Sequence, residues 1–214
     1  MQIPVSVIIP ILKNYNNYLT EALNSIEFQS YTPKEILVIG NIKNNKNIKK
    51  ICKKYKNCFF FSTRKTSASY RRYFGALNAK YKYLTFIDYD DVWTKNRLKY
   101  LYKKINVGNC IAVYGKKIFF YKKKKSIETR KDLTFLLTTA LIKKKILITE
   151  KYFNNQNIIA EYIFYKKLSL QNKKIIKINK IILYRRIHDN NFTRNLKTKK
   201  MIINTLKFIN KKKY

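Results

Sequence analysis

The sequence predicts an α/β fold, a mostly parallel sheet flanked by helices with an irregular C-terminal portion. Three observations carry this expectation. Between Val5 and Ile105, short apolar runs alternate four times with stretches of helical spacing. The runs are continuous rather than alternating with polar residues, as in strands covered on both faces. After Asn109 the alternation stops, and strand-like segments follow one another around a single helix. With 214 residues, the chain is long enough to bury a real hydrophobic core.

Each element has its own signal. VSVIIP (Val5 to Pro10) is a β-rich apolar run ended by Pro. Tyr18, Ala22, Ser25 and Ile26, with Leu19 and Leu23 beside them, follow helical spacing. EILVIG (Glu35 to Gly40) is a second buried strand. Ile48, Ile51, Cys52 and Tyr55 lie on one face of a basic helix, and CFFF (Cys58 to Phe61) is a third strand. Residues 67 to 81 read as a helix with Tyr70, Phe74, Leu77 and Ala79 inward. YLTFID (Tyr83 to Asp88) is a fourth strand, followed by a helix from about Lys95 to Ile105. Strand and helix in this order make βαβ units, whose strands pair in parallel. Beyond Asn109, CIAVYG and KKIFFY read as two strands, Glu161 to Leu170 as a helix, and KIIKI and KIILYRRI as two late strands. The reading is one domain over residues 1–195, with a ligand-binding half (1–108) and a second half (109–195). A basic helix or tail follows over 196–214.

Charge is the loudest feature of the composition. The chain carries 48 Lys and Arg against 11 Asp and Glu, a formal net charge of +37. Of these, 40 are Lys and only eight Arg; Ile (30), Asn (23), Tyr (18) and Phe (13) are also abundant. These residues share codons rich in A and T, so a coding background explains the Lys excess. The rival reading is a nucleic-acid binder, because Lys and Arg interleaved with aromatics form an electrostatic footprint for phosphate. A dedicated groove should concentrate the charge and use more Arg. Here Lys is spread along the whole chain, which makes nucleic acid the less favoured partner. Three cysteines (Cys52, Cys58, Cys110) without a paired spacing argue against both a disulfide scaffold and a zinc site. No apolar run approaches the roughly 20 residues of a membrane helix, and no leader is evident. The expected location is the cytoplasm.

Against so few acids, FIDYDDVW (Phe86 to Trp93) stands out. Three of the five Asp, Asp88, Asp90 and Asp91, fall within four positions at the carboxyl end of an expected buried strand. Ligands of open α/β sheets bind there. Carboxylates packed together repel unless a cation neutralises them, and hard oxygen donors suit Mg²⁺ or Mn²⁺ bridged to phosphates. A helix N-cap in a turn would explain one of these Asp, not three.

The stretch from Ser67 to Leu98 resembles family 2 glycosyltransferases of the GT-A fold. The matching residues are Arg72, Gly75, Ala79, Tyr83, Phe86, Asp88, Asp90, Asp91 and Trp93. VSVIIP, YLTEALNSIEFQSY and EILVI are similar to the family's opening strand, first helix and second strand, and AEYIFYKKL and YRRIHDNNFTR to its late helix and Tyr-Arg-x-His segment. The resemblance implies a GT-A-like fold with a Rossmann-like sheet and an acceptor-side second half. It implies an inverting transfer of one sugar from a nucleotide-diphosphate sugar, by family frequency a UDP-sugar, to a cell-envelope glycan or lipid-linked acceptor. Mn²⁺ or Mg²⁺ would neutralise the diphosphate. Such a reaction needs a carboxylate base at the acceptor hydroxyl and charge stabilisation at the departing diphosphate.

By resemblance, the base is Glu161, at the position of the family's Asp. Asp88 would face the donor, and Asp90 and Asp91 the metal, with Asp90 touching both. His188, the single histidine, is either a metal ligand or a structural residue. Arg185 or Arg186 would meet phosphate oxygens as a fork, and Arg72 would contact the donor or pair with an Asp of the cluster. Pro10 and Asn41 lie where the first two strands meet the donor. The sequence departs from the family pattern at Gly40 and Asn41, where an Asp is usual, and at Tyr73, Tyr81 and Ala160. These departures make a weakly active or inactive relative the alternative reading. The basic exterior would also allow peripheral contact with an anionic membrane, each Lys near the surface adding about 1 kcal/mol.

Overall fold

In the computed structural model, the described residues are 1–12, 16–41, 45–121, 127–132, 135–149 and 160–188. The expected basic helix over 196–214 lies outside them. The chain runs β1 (Gln2–Pro10), α1 (Asn16–Glu27), β2 (Thr32–Asn41), α2 (Lys46–Cys52), β3 (Cys58–Thr63), α3 (Ala68–Asn78), β4 (Tyr83–Phe86), β5 (Val92–Trp93) and α4 (Arg97–Val107). It continues through β6 (Ala112–Tyr121), β7 (Ile127–Asp132), a 3-10 turn (Leu137–Thr139), β8 (Ala140–Lys143), α5 (Lys144–Thr149), α6 (Ala160–Leu170) and β9 (Ile175–Ile187).

The strands form one sheet in the order β3-β2-β1-β4-β8-β6-β9-β5, with β7 hydrogen-bonded to β6. The first four are parallel, as the continuous apolar runs require. The chain moves outward from β1 to β3, then returns through α3 to lay β4 on the other side of β1. That reversal makes a topological switch point between β1 and β4, and open α/β sheets bind ligands at the carboxyl ends of the strands at such a point. Beyond β4 the sheet turns mixed: β8 is antiparallel to β4 and β6, β9 is parallel to β6, and β5 is antiparallel to β9.

Both faces of the parallel part are covered. Val5, Val7 and Ile9 pack with Leu19, Leu23 and Ile26 of α1 and with Leu98 and Leu101 of α4. Ile8, Leu37, Ile39, Leu84 and Phe86 pack on the other side with Ala76 of α3, Leu147 of α5, and Phe164 and Leu168 of α6. Gly75 lets α3 come close to β1: a Cβ there would sit 2.6 Å from Ile8 Cγ2 and 3.2 Å from Ile39 Cγ1.

Polar ties hold the layers in register. Ser67 caps α3, its side chain accepting from the Tyr70 N–H at 3.2 Å. The Gln29 amide donates to the carbonyls of Ser25 and Thr94 and accepts from the Leu98 N–H, so one side chain joins the end of α1 to the start of α4. Buried Glu35 on β2 accepts from the Ser6 hydroxyl on β1 and from the Lys80 N–H before β4.

Three expectations change. The inward face of α3 carries Arg71, Arg72, Gly75 and Ala76, whereas Leu77 is exposed and Tyr70 and Phe74 are half-buried. The two arginines turn inward because buried acceptors await them there, which an apolar count cannot anticipate. CIAVYG and KKIFFY join into the single strand β6, and KIIKI and KIILYRRI into β9. The residues read as breaks are matched irregularities: the β6–β9 register shifts around Gly115, whose Cβ would meet the Lys180 carbonyl at 2.9 Å. A bulge with a close-packed glycine looks like a turn in sequence. Finally, β5, β7, β8, α5 and the 3-10 turn have no counterpart in the sequence reading.

Candidate active site

The site is built at the carboxyl edge of β1, β2 and β4. Pro10 ends β1 and Asn41 ends β2. The chain leaving β4 is anchored by the Ile87 N–H on the Ile8 carbonyl, then turns, with the Asp91 N–H on the Asp88 carbonyl at 3.0 Å. This turn gathers Asp88, Asp90 and Asp91 so that one carboxylate oxygen of each lies within 4.8 Å of the others. Burial, then the neighbouring carboxylates, raises Asp91 well above the ordinary carboxylate range. Burial, then Asp88, raises Asp90, with His188 opposing. The cluster therefore holds negative charge at a cost that a divalent cation would relieve, and its hard oxygens at this spacing fit Mn²⁺ or Mg²⁺.

Arg72 links this cluster to α6. From the inner face of α3 it donates to Asp88 Oδ1 at 2.5 Å and to Glu161 Oε1 at 2.7 Å. Burial alone would weaken the cation, but Asp88 and Glu161 more than offset that and raise its pKa overall. Glu161 stands in the first turn of α6, positioned by Phe164 and Leu168 beneath it. Its second oxygen, Oε2, accepts from the Leu137 N–H at 3.1 Å. Arg72 thus bridges the sequence-derived base candidate and the acidic cluster. Of the two roles open to Arg72, the structure has it paired with Asp88.

The end of β9 closes the other side. Arg186 is buried: its N–H donates to Asp91 Oδ1 at 3.0 Å, its Nε to the Asp90 carbonyl at 2.8 Å, and its Nη2 to Glu21 of α1. The guanidinium is flanked by the rings of Tyr18 (4.5 Å) and Phe120 (4.8 Å). Arg186 therefore fastens the acidic turn to the sheet. Arg185 is half-buried and near enough to oppose the upward shift of Asp91. His188 Nε2 lies 2.9 Å from Asp90 Oδ2, and its ring stacks on Tyr18.

Pro10, Asn41, Arg72, Asp88, Asp90, Asp91, Glu161, Arg185, Arg186 and His188 all fall on or beside this edge. Sequence reasoning missed Tyr18, Glu21, Arg71 and Arg97. Buried Arg71 donates through Nη1 to the Ile11 carbonyl, just past β1, and through Nε to the Lys65 carbonyl. A signal was available: in a chain with 40 Lys and eight Arg, five of the eight (Arg71, Arg72, Arg97, Arg185, Arg186) surround the site. Exposed Lys behaves differently. It lies on α2 and α4 over one face of the sheet (Lys49, Lys50, Lys103, Lys104) and on α5 over the other (Lys145).

Comparison with known proteins agrees with this architecture. An uncharacterized glycosyltransferase of Rickettsia felis is 34% identical over 109 residues, half of this chain and 18% of that protein. The glycosyltransferase GlyA of Streptococcus pneumoniae is 31% identical over 105 residues, 47% of this chain and 15% of that protein. The chain thus spans less than a fifth of the length of these relatives. Among solved structures, S. aureus TarS 1-349 in complex with UDP-GlcNAc superposes with a TM-score of 0.69 at 18% identity, over 90% of this chain and 61% of that one. The mannosyltransferase PcManGT of Pyrobaculum calidifontis, in complex with GDP-Man and Mn2+, gives 0.69 at 14% identity, over 89% of this chain and 59% of that one. The shared fold is that of GT-A glycosyltransferases. The model of glycosyl transferase family 2 matches residues 6–192, from within β1 to beyond His188, and the chain belongs to that family.

Proposed function

We propose that this chain is an inverting glycosyltransferase that moves one sugar from a nucleotide-diphosphate donor to a hydroxyl acceptor. The observation that carries the reading is the Asp88–Arg72–Glu161 bridge, which joins a carboxylate suited to base catalysis to a cluster suited to a donor diphosphate. Glu161 takes the proton of the acceptor hydroxyl while that oxygen attacks the anomeric carbon. The bond from that carbon to the diphosphate breaks on the opposite face, and its electron pair leaves with the phosphate oxygen. Each oxygen of Glu161 already accepts one hydrogen bond, and its remaining lone pairs can receive the acceptor proton.

Asp90 and Asp91 would hold the divalent cation, Mn²⁺ or Mg²⁺, with Asp88 facing the donor and His188 set on Asp90. When bound, the cation supplies charge neutralisation at the leaving diphosphate. Pro10 and Asn41 would border the nucleoside at the ends of β1 and β2. Because Arg186 is committed to the acidic turn, Arg185 is the better placed of the two to meet a phosphate. The TarS complexes with UDP-GlcNAc and UDP support a UDP-sugar donor, and PcManGT with Mn2+ supports that metal. A cell-envelope or lipid-linked acceptor, and a cytoplasmic place against anionic membrane, rest on the family resemblance and on the +37 charge. Among the described residues, no helix is long and apolar enough to cross a membrane.

The test is turnover of UDP-sugars with and without Mn²⁺ by the wild type and by Glu161→Gln. Metal-dependent turnover that falls about 10²- to 10⁴-fold in Glu161→Gln, with donor binding kept, supports the reading. Undiminished turnover in that variant removes Glu161 as the base.

A further inference from the structure

Arg97 is an unusual residue to find at the first position of α4. It is fully buried, and its guanidinium lies 4.4 Å from the centre of the Trp93 ring. Nη1 donates to the Thr138 carbonyl at 2.8 Å, and Nη2 to the Thr85 hydroxyl at 2.8 Å. Thr85 itself donates to the Ala140 carbonyl at 2.7 Å. Burial draws its pKa down to about 9, and among its neighbours only Asp91 acts in the opposite direction. Desolvating a cation is costly, and the fork of Arg97 offsets that cost with hydrogen bonds to two separate segments. Its role is therefore read from those two segments.

The contacts define that role. Thr85 lies on β4, the strand that delivers Asp88, Asp90 and Asp91. Thr138 and Ala140 belong to the 3-10 turn and its exit, and the first N–H of that turn, from Leu137, is the one held by Glu161 Oε2. Resting on the assignment of Glu161 as the base, we propose that Arg97 is a positioning residue. Its fork sets the Leu137 N–H, and through it the Glu161 carboxylate, at a fixed place relative to the acidic cluster. Arg97 touches neither donor nor acceptor in this account. It acts at second hand, where a displacement of about 1 Å can cost about 100-fold in rate.

The experiment compares wild type, Arg97→Met, Arg97→Lys, Glu161→Gln and the Arg97→Met/Glu161→Gln double variant in the full chain. Two readouts are taken: UDP-sugar turnover with Mn²⁺, and hydrogen exchange of the Leu137 amide. For Arg97→Met, which leaves the Thr138 carbonyl without its buried donor, the expected results are a lowered but still cooperative unfolding transition, donor KM unchanged, kcat lowered by about 100-fold, and loss of protection at the Leu137 amide. Arg97→Lys keeps the charge but not the fork, and kcat falls between the two. In the Glu161→Gln background, Arg97→Met causes little further loss. An equal loss in that background, or a Leu137 amide as protected in Arg97→Met as in the wild type, overturns the proposal. Full turnover by Glu161→Gln instead defeats the base assignment, while the Leu137 exchange still judges whether Arg97 holds the turn.

Discussion

The two halves of the sheet are held together by different physics. From β1 to β4, neighbouring strands are parallel and almost wholly apolar, and Gly75 lets α3 settle directly on Ile8. From β8 to β5 the pairing is mixed and the register shifts at Gly115. There, side chains reach across the sheet: Arg186 to the Asp90 carbonyl and to Glu21, Asp91 to the Arg186 N–H, and Arg97 to Thr85 and Thr138. The first half is a platform fixed by burial, which is non-directional. The second is tied to it by charge-assisted hydrogen bonds, which are directional and set atoms to within tenths of an ångström. The candidate active site lies along the seam between them. Substitutions in the first half should therefore cost stability, and substitutions at the seam should cost activity.

The largest expected effect breaks the seam. Glu161→Gln should lower kcat by about 10²- to 10⁴-fold while costing about 1–3 kcal/mol of stability, because an amide can accept only one of the two hydrogen bonds from Arg72 and the Leu137 N–H; steady-state kinetics and a urea titration check both. Next comes the platform. Ile8→Ala, fully buried under α3, should lower stability by about 2–5 kcal/mol without changing KM for the donor. Gly75→Val, forced against Ile8 and Ile39, should cost about 1–3 kcal/mol by overpacking. Equilibrium unfolding reads both losses.

A smaller effect sharpens the comparison through pH. Asp90 and Asp91 have folded pKa values raised first by burial and then by neighbouring carboxylates, Asp88 for Asp90, and Asp90 and Asp88 for Asp91. A carboxyl raised in the folded state favours folding below its unfolded pKa, and that contribution is lost as pH rises through the folded value. The metal-free protein should thus lose stability from this source as pH rises out of the ordinary carboxylate range. Mn²⁺, competing with protons for the same oxygens, should stabilise it more at neutral than at acid pH. Asp91→Asn should flatten that pH dependence, measured by thermal unfolding across pH with and without the metal. The smallest effect on activity comes from Gln29→Ala, which removes the α1–α4 tie and should cost about 1–3 kcal/mol of stability with no change in turnover.

Much of this was legible in the sequence, for reasons that follow the same division. The first four strands could be read because burial of a continuous apolar run is a property of each segment alone. Asp88, Asp90 and Asp91 could be read because acids are scarce against the Lys background, and Glu161 by its place in a family pattern. The inward turn of Arg71 and Arg97 could not, because it depends on carbonyls contributed by segments as distant as Ile11 and Thr138. Nor could the continuity of β6 and β9, since Gly115 and Asn179-Lys180 carry turn chemistry in sequence and a paired bulge in the fold. The +37 charge is mostly Lys, and among the described residues Lys is exposed on helices over both faces of the sheet. The informative cations are the few arginines, because their planar forks suit buried carbonyls and carboxylates.

The central claim is that the acidic turn and Glu161 make one donor-binding and catalytic site. Thermal unfolding of the wild type, Asp90→Ala and Glu161→Gln with UDP-GlcNAc, each with and without Mn²⁺, tests it most directly. Donor at one hundred times its Kd adds about 2.7 kcal/mol, a rise of about 5–10 °C for a domain of this size. The account predicts that rise for wild type and Glu161→Gln only when Mn²⁺ is present, and its loss in Asp90→Ala. A rise that ignores Mn²⁺, or one that survives in Asp90→Ala, would contradict it.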